Sequence, residues 1–225
     1  MSRGLLVVGA ALVLLVVTVG TVLLARPPDT GVTGVAAPSR VLALAAPPGL
    51  PSPGSLVDAR IGPHGNVSVV TWIRSDTPLS RLQLALPDVV GLPAAARADS
   101  VQVAGDRRFV TGSTTVGSSA QTYVLDRPSR LVFVSYRLLG VADRRSSVAG
   151  QVLLRATRLD LTSRAAGPVR VRLHGVAVRS AACLPPGQAV AVPCGAPHAS
   201  ASWRVELRGA DRHHQLQATA DLRAG

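Results

Sequence analysis

Two patterns divide the chain. From Leu5 to Ala25 (LLVVGAALVLLVVTVGTVLLA) apolar residues follow one another without a charge. As a helix rising about 1.5 Å per residue, this run spans roughly 31 Å, close to the hydrocarbon thickness of a bilayer. In lipid each backbone polar group must be satisfied within the segment, so one transmembrane helix is expected within residues 1–26. From Leu56 onward the pattern changes to short runs in which apolar and polar positions alternate, the signature of strands with one face buried.

Val57, Ala59 and Ile61 alternate with Asp58 and Arg60, and Gly62-Pro63-His64-Gly65 reads as a turn. Asn66 to Arg74 is apolar and β-branched on both faces, which predicts a central strand covered on both sides. Leu82, Leu84 and Leu86 form a half-exposed strand that Pro87 stops. Val89 to Ala98 fits a loop or a single helical turn, and Gly105-Asp106 marks a hairpin turn within Val101 to Thr111. Gln121 to Leu125 and Leu131 to Leu139 read as two strands around Asp126-Arg127-Pro128-Ser129. Gln151 to Leu161 suits a strand or a helix. Val169, Val171 and Leu173 alternate with Arg170, Arg172 and His174, and Gly175 reads as a bulge. Trp203, Val205 and Leu207, followed by Leu216, Ala218, Ala220 and Leu222, predict a closing hairpin. About nine or ten short strands with turns at intervals of about ten residues predict a mainly β fold, an antiparallel β-sandwich, Ig-like or similar, over residues 56–225.

Between the two patterns, residues 27–55 hold seven prolines and four glycines. Proline lacks an N–H and restricts its predecessor, so this Pro/Gly/Ala-rich stretch is expected to be a semi-extended linker. A cleaved signal peptide is the alternative for the first segment. Against it stand an apolar run longer than a signal peptide's and an exit, Ala25-Arg26-Pro27-Pro28, poorly suited to cleavage. The expected placement is the cell membrane, single-pass, with the C-terminal domain outside the cytoplasm, although the arginine count on the two flanks is nearly even.

Composition sharpens the picture. Apolar residues make up 47% of the 225 and aromatics 3%, so the core must be built from Val, Leu and Ala. Every one of the 24 basic residues is arginine, and the formal net charge is +12. Arginines are spread rather than massed, which fits a solvated basic surface. A sharper reading is attraction to an anionic surface or polymer near the membrane. No helix-turn-helix, zinc finger or aromatic RNA-binding strand motif occurs, so nucleic acid is not an expected partner.

Cys183 and Cys194 flank LPPGQAVAVP. Two cysteines of one domain in an oxidising compartment are expected to pair, and so short a loop implies roughly 3 kcal/mol of stabilisation. Two free buried thiols are the plain alternative. A metal site would have to combine Cys194 and His198 with His174, His213 or His214, without the tight cysteine pairs of zinc sites, so no metal is expected. Adjacent His213-His214 read as exposed turn residues. Asn66-Val67-Ser68 matches a glycosylation sequon.

The missing motifs restrict the chemistry. Without lysine there is no Walker A lysine, Schiff-base nucleophile or S-x-x-K acylase. No G-x-S-x-G or H-E-x-x-H occurs, and the one glutamate, Glu206, leaves no evident acid pair for glycoside hydrolysis. No catalytic residue and no cofactor is expected. The leading expectation is a membrane-anchored module that binds or scaffolds an envelope protein or an anionic envelope polymer. The alternatives are an envelope hydrolase with a dispersed Ser/His/Asp or metal site built from the four C-terminal histidines, and a passive structural surface module.

Overall fold

A computed structural model describes residues 46–144, 148–163, 165–199 and 201–222. Segment 5–25, and with it the expected membrane helix, lies outside them. Among the described residues no helix is long and apolar enough to cross a membrane.

The fold is mainly β. Its strands are β1 Gly54–Ile61, β2 Val67–Ala85, β3 Arg97–Gly105, β4 Arg108–Phe109, β5 Gln121–Leu139, β6 Ala142–Asp143, β7 Gln151–Leu154, β8 Asp160–Thr162, β9 Val169–His174, β10 Ala177–Leu184, β11 Val192–Pro193, β12 Ala196–His198, β13 Ser202–Leu207 and β14 Gln215–Asp221. They form a large sheet in the order β12-β13-β9-β1-β2-β5-β3-β4, with β8 also on β2, and a small sheet in the order β11-β10-β14-β7-β6. One apolar cluster contains Val57, Val69 and Ile73 from the large sheet and Leu154, Cys183, Leu216 and Ala218 from the small one. Two sheets that share their buried faces in this way are consistent with a β-sandwich. The core is aliphatic, as composition requires, and only Tyr123 and Tyr136 among the aromatics are buried in it.

Several local expectations hold. β1 and β2 pair antiparallel from Gly54↔Arg74 to Ile61↔Val67 around the turn at 62–66, and the Gly62 N–H donates to the Asn66 carbonyl at 2.8 Å. Asp106 and Arg107, both at positive φ, turn β3 into β4, the condition a type I′ hairpin imposes on its two central residues. Gln151 to Leu161 resolves into β7 and β8, with Arg155 to Leu159 irregular between them.

Other expectations are corrected. The large sheet is mixed, because β1 pairs parallel with β9 from Ser55↔Val169 to Arg60↔His174. β2 and β5 are each 19 residues long, where two short strands apiece are predicted. Register shifts between Arg74 and Leu79 and between Leu79 and Arg81 carry β2 past Asp76-Thr77-Pro78. Bulges of this kind re-aim a strand without ending it, so Val67, Ile73, Leu79, Leu82 and Leu84 all reach the core. Asn66–Arg74 is central, but only its odd positions are buried, while Val70 and Trp72 stay partly exposed. Gly175 is a bend at φ +109 leading from β9 of one sheet to β10 of the other. The bulge falls instead between Val178 and Ser180. Nor do Trp203–Leu207 and Gln215–Asp221 form a hairpin. β13 pairs with β9 and β12, β14 pairs with β10 and β7, and a 3-10 helix, Gly209–His213, joins the two sheets there.

The segment before β1 is in contact with the body. Pro51 is buried, and the Arg170 Nη1–H donates to the Gly49 carbonyl at 3.1 Å.

Candidate functional site: an outward aromatic row and a buried arginine

Strand register places residues directly opposite one another on the same face. Across the outer face of the large sheet, one row runs Glu206, Arg170, Leu56, Trp72, Phe133, Ala104, Phe109. The next row on one side runs Arg204, Arg172, Asp58, Val70, Ser135, Gln102, followed by His174, Arg60, Ser68, Arg137, Asp99. On the other side lie Arg74 and Leu131. Three of the six aromatic residues of the chain therefore lie on one outward row, all partly exposed. Trp72 and Phe133 meet edge to face, with ring centroids 5.0 Å apart.

The carboxylates of these rows are all engaged. Asp99 takes two bonds from Arg137, at 3.2 and 3.0 Å, and this partner holds its carboxyl below the usual range. Asp58 meets Arg172 at 3.4 Å and the His174 Nε2 at 2.5 Å. Glu206 meets Arg208 at 2.6 Å and Arg170 at 3.5 Å, and the bond from Arg208 is the chief reason its carboxyl is held low. Arg60, Arg74 and Arg204 have no ion pair among the described residues. A groove of about 450 Å³ runs along Pro48, Gly49, Leu56, Arg170, Arg172 and Arg204. A partly apolar row bordered by unpaired guanidinium groups can take the flat or apolar part of a ligand and its anionic groups together.

The second feature lies inside. Arg158, in the irregular stretch between β7 and β8, is only 7% exposed. Its Nη2 donates to the carbonyls of Arg212 at 3.1 Å and His214 at 2.6 Å, and its buried Nε has no partner. Burial pulls its pKa below the ordinary arginine value, opposed by Asp160 through space. Asp160 is raised, first by its own burial and against the pull of Arg158. Beside Arg158 is a chamber of about 40 Å³, into which Thr71, Tyr136 and Ser163 also face. The Tyr136 hydroxyl accepts the Leu159 N–H at 2.9 Å.

Cys183 and Cys194 form the expected disulfide, closing the loop between β10 and β11. The loop exposes Val190 and Val192 to solvent. The Trp203 indole N–H donates to the Cys194 carbonyl at 2.9 Å. The candidate histidines occupy different elements. His174 lies on the outer face with Asp58, and His198 is exposed on the edge strand β12. His213 ends the 3-10 helix, and His214 follows it, 3.3 Å from Asp211. No serine hydroxyl bonds to the His174–Asp58 pair among the described residues, and Cys194 is taken up in the disulfide. No group of three His, Cys, Asp or Glu side chains converges among the described residues. Asn66 turns its side-chain oxygen inward, where it is buried.

Sequence reasoning passed over the aromatic row because Trp72, Phe133 and Phe109 belong to three strands that only register aligns. It passed over Arg158 because nothing in RATRLD distinguishes a buried arginine from a solvated one.

No family model and no curated protein sequence matches the chain. Among solved structures, an aminopeptidase N family protein from Idiomarina loihiensis is similar at 14% identity and a TM-score of 0.42, over 74% of this chain and 29% of that one. An M1 zinc metallopeptidase from Deinococcus radiodurans is similar at 14% identity and a TM-score of 0.39, over 74% of this chain and 41% of that one. The pilus backbone from Streptococcus pneumoniae shows 11% identity and a TM-score of 0.26, over 68% and 70%. The chain spans less than half the length of either peptidase. Similarity at this level transfers neither activity nor partner.

Proposed function

We propose that the protein is a single-pass, membrane-anchored extracytoplasmic module that acts by binding, and that its ligand is an anionic envelope polymer. The anchor is residues 1–26, the linker 27–55, and the binding body an immunoglobulin-like or similar β-sandwich over 56–225. The observation that carries the reading is the outward row of Leu56, Trp72, Phe133 and Phe109. An aromatic-poor chain places half its aromatics there, beside arginines that the local carboxylates leave unpaired. A net charge of +12 favours long-range attraction of a polyanion, and the rows supply the short-range contacts.

The test is retention of the detergent-solubilised full chain on immobilised polyphosphate and polyglutamate, eluted with salt. A neutral dextran matrix serves as control. The triple variant Arg60→Gln/Arg74→Gln/Arg204→Gln should elute at clearly lower salt than the wild type. A control triple of exposed arginines elsewhere, Arg107→Gln/Arg127→Gln/Arg130→Gln, removes the same charge and should elute later than the first triple. Equal elution of the two triples would refute the assignment to this face and leave only nonspecific charge.

A further inference from the structure

Given that the outward face binds a polyanion, as proposed above, the side chains on it narrow the class of polymer. A polymer of charge alone, such as polyphosphate, needs only cations. Here three kinds of group lie in register. Leu56, Trp72, Phe133 and Phe109 form a partly exposed apolar row. Ser135 and Gln102 of the next row, and Ser68 of the row after it, add neutral donors and acceptors. Arg74 flanks the apolar row on one side, and Arg204 and Arg60 flank it on the other. None of these three arginines has an ion pair among the described residues. With neighbouring strands about 4.8 Å apart, the steps from Leu56 on β1 to Phe109 on β4 make a row about 19 Å long. Beyond Leu56 the row meets the groove along Arg170, Arg172 and Arg204.

A sugar ring matches all three kinds of group at once. It offers an apolar C–H face, a hydroxylated edge and, in an acidic sugar, an anionic group. An aromatic side chain takes the apolar face, serine and glutamine take the hydroxyls, and arginine takes the anion. An extended row suits a chain of such rings, whereas a single small ligand calls for a concave pocket. An anionic lipid surface fits less well. Asp58, Asp99 and Glu206 lie on the same face and would be pressed against like-charged headgroups. We propose that the polymer is an acidic polysaccharide and that its sugar rings lie along Trp72, Phe133 and Phe109.

Isothermal titration calorimetry of the full chain, in a zwitterionic detergent without sugar headgroups at pH 7, measures binding to two matched pairs of polyanions. Oligogalacturonate is set against polyglutamate, both carboxylate polymers, and dextran sulfate against polyvinylsulfate, both sulfate polymers. Only the first member of each pair carries sugar rings. At equal charge concentration the wild type should bind the sugar polymer more tightly in at least one pair. Trp72→Thr keeps a β-branched residue in the strand. It should lose roughly tenfold more affinity for that sugar polymer than for its ring-free partner, the contribution of about one aromatic contact. Phe109→Thr, on the short strand β4 at the far end of the row, should lower the same preference, and it carries the test if Trp72→Thr lacks a cooperative melt. Equal affinity within both pairs, or a preference that survives both substitutions, would overturn the polysaccharide assignment. The polyanion reading would then still stand on the early salt elution of the arginine triple variant. Absence of binding to all four polymers would overturn both.

Discussion

Replacing Tyr136 with phenylalanine removes one buried oxygen from the body and makes a prediction whose size changes with pH. The Tyr136 hydroxyl accepts the Leu159 N–H at 2.9 Å, and Leu159 is 2% exposed. Phenylalanine fills nearly the same volume but leaves that buried donor unpaired, a loss of about 1–3 kcal/mol at pH 7. Burial pushes the phenol up to about 12 in the folded protein, against about 10 when unfolded. Between these values the unfolded chain releases the proton and the folded chain keeps it. The unfolded state then binds fewer protons, so wild-type stability falls as pH rises. The contribution is fully present below pH 10 and is lost through about pH 12. By about pH 11.5 the loss amounts to about 2 kcal/mol, which the phenylalanine variant does not suffer. The range is unusually clean, because the chain has no lysine and only two tyrosines, and the shift of the other, Tyr123, is common to both proteins. Urea denaturation followed by far-UV circular dichroism, at pH 7, 9 and 11.5, measures the gap. Wild type should lead by about 1–3 kcal/mol at pH 7 and 9, and the lead should shrink by about 2 kcal/mol at pH 11.5, with m unchanged. A gap independent of pH, or no gap at pH 7, would refute the buried hydroxyl bond and its titration.

Three further outcomes follow from the packing. Converting Cys183 and Cys194 to serine together opens a crosslink across 11 positions, and denaturation should show a loss of about 3 kcal/mol, with reductant having no effect on the variant. Gly167→Ala, at φ +92 with its Cβ directed into the Pro53 carbonyl, should cost more than about 1 kcal/mol in the same assay, whereas Gly117→Ala, with open space around it, should cost far less. Leu154→Ala, in the small sheet and 0% exposed, should cost about 2–5 kcal/mol, and a value below 1 kcal/mol would show that the two sheets do not share a tight core.

What the chain determines by itself is which side of each strand turns inward. Val57, Ala59 and Ile61 of β1 and Val169, Val171 and Leu173 of β9 are buried as their alternation requires, because the pleat sends successive side chains to opposite faces wherever the strand is placed. The aliphatic core, the turns at 62–66 and 105–108 and the Cys183–Cys194 bridge are equally local, set by composition, by turn geometry or by a short loop. Neighbours are decided elsewhere. β13 and β14 carry the same inward alternation as a hairpin would, yet they join different sheets, since the pattern specifies a buried face and leaves the partner open. The parallel pairing of β1 with β9 couples residues more than a hundred positions apart. The same pairing aligns Arg170 with Leu56 and Trp72, so the candidate face exists only through register. Arg158 is the sharpest case. Its burial follows from the joining of β7, β8 and the 3-10 helix around it, a coincidence of three separate segments that no single stretch of sequence encodes.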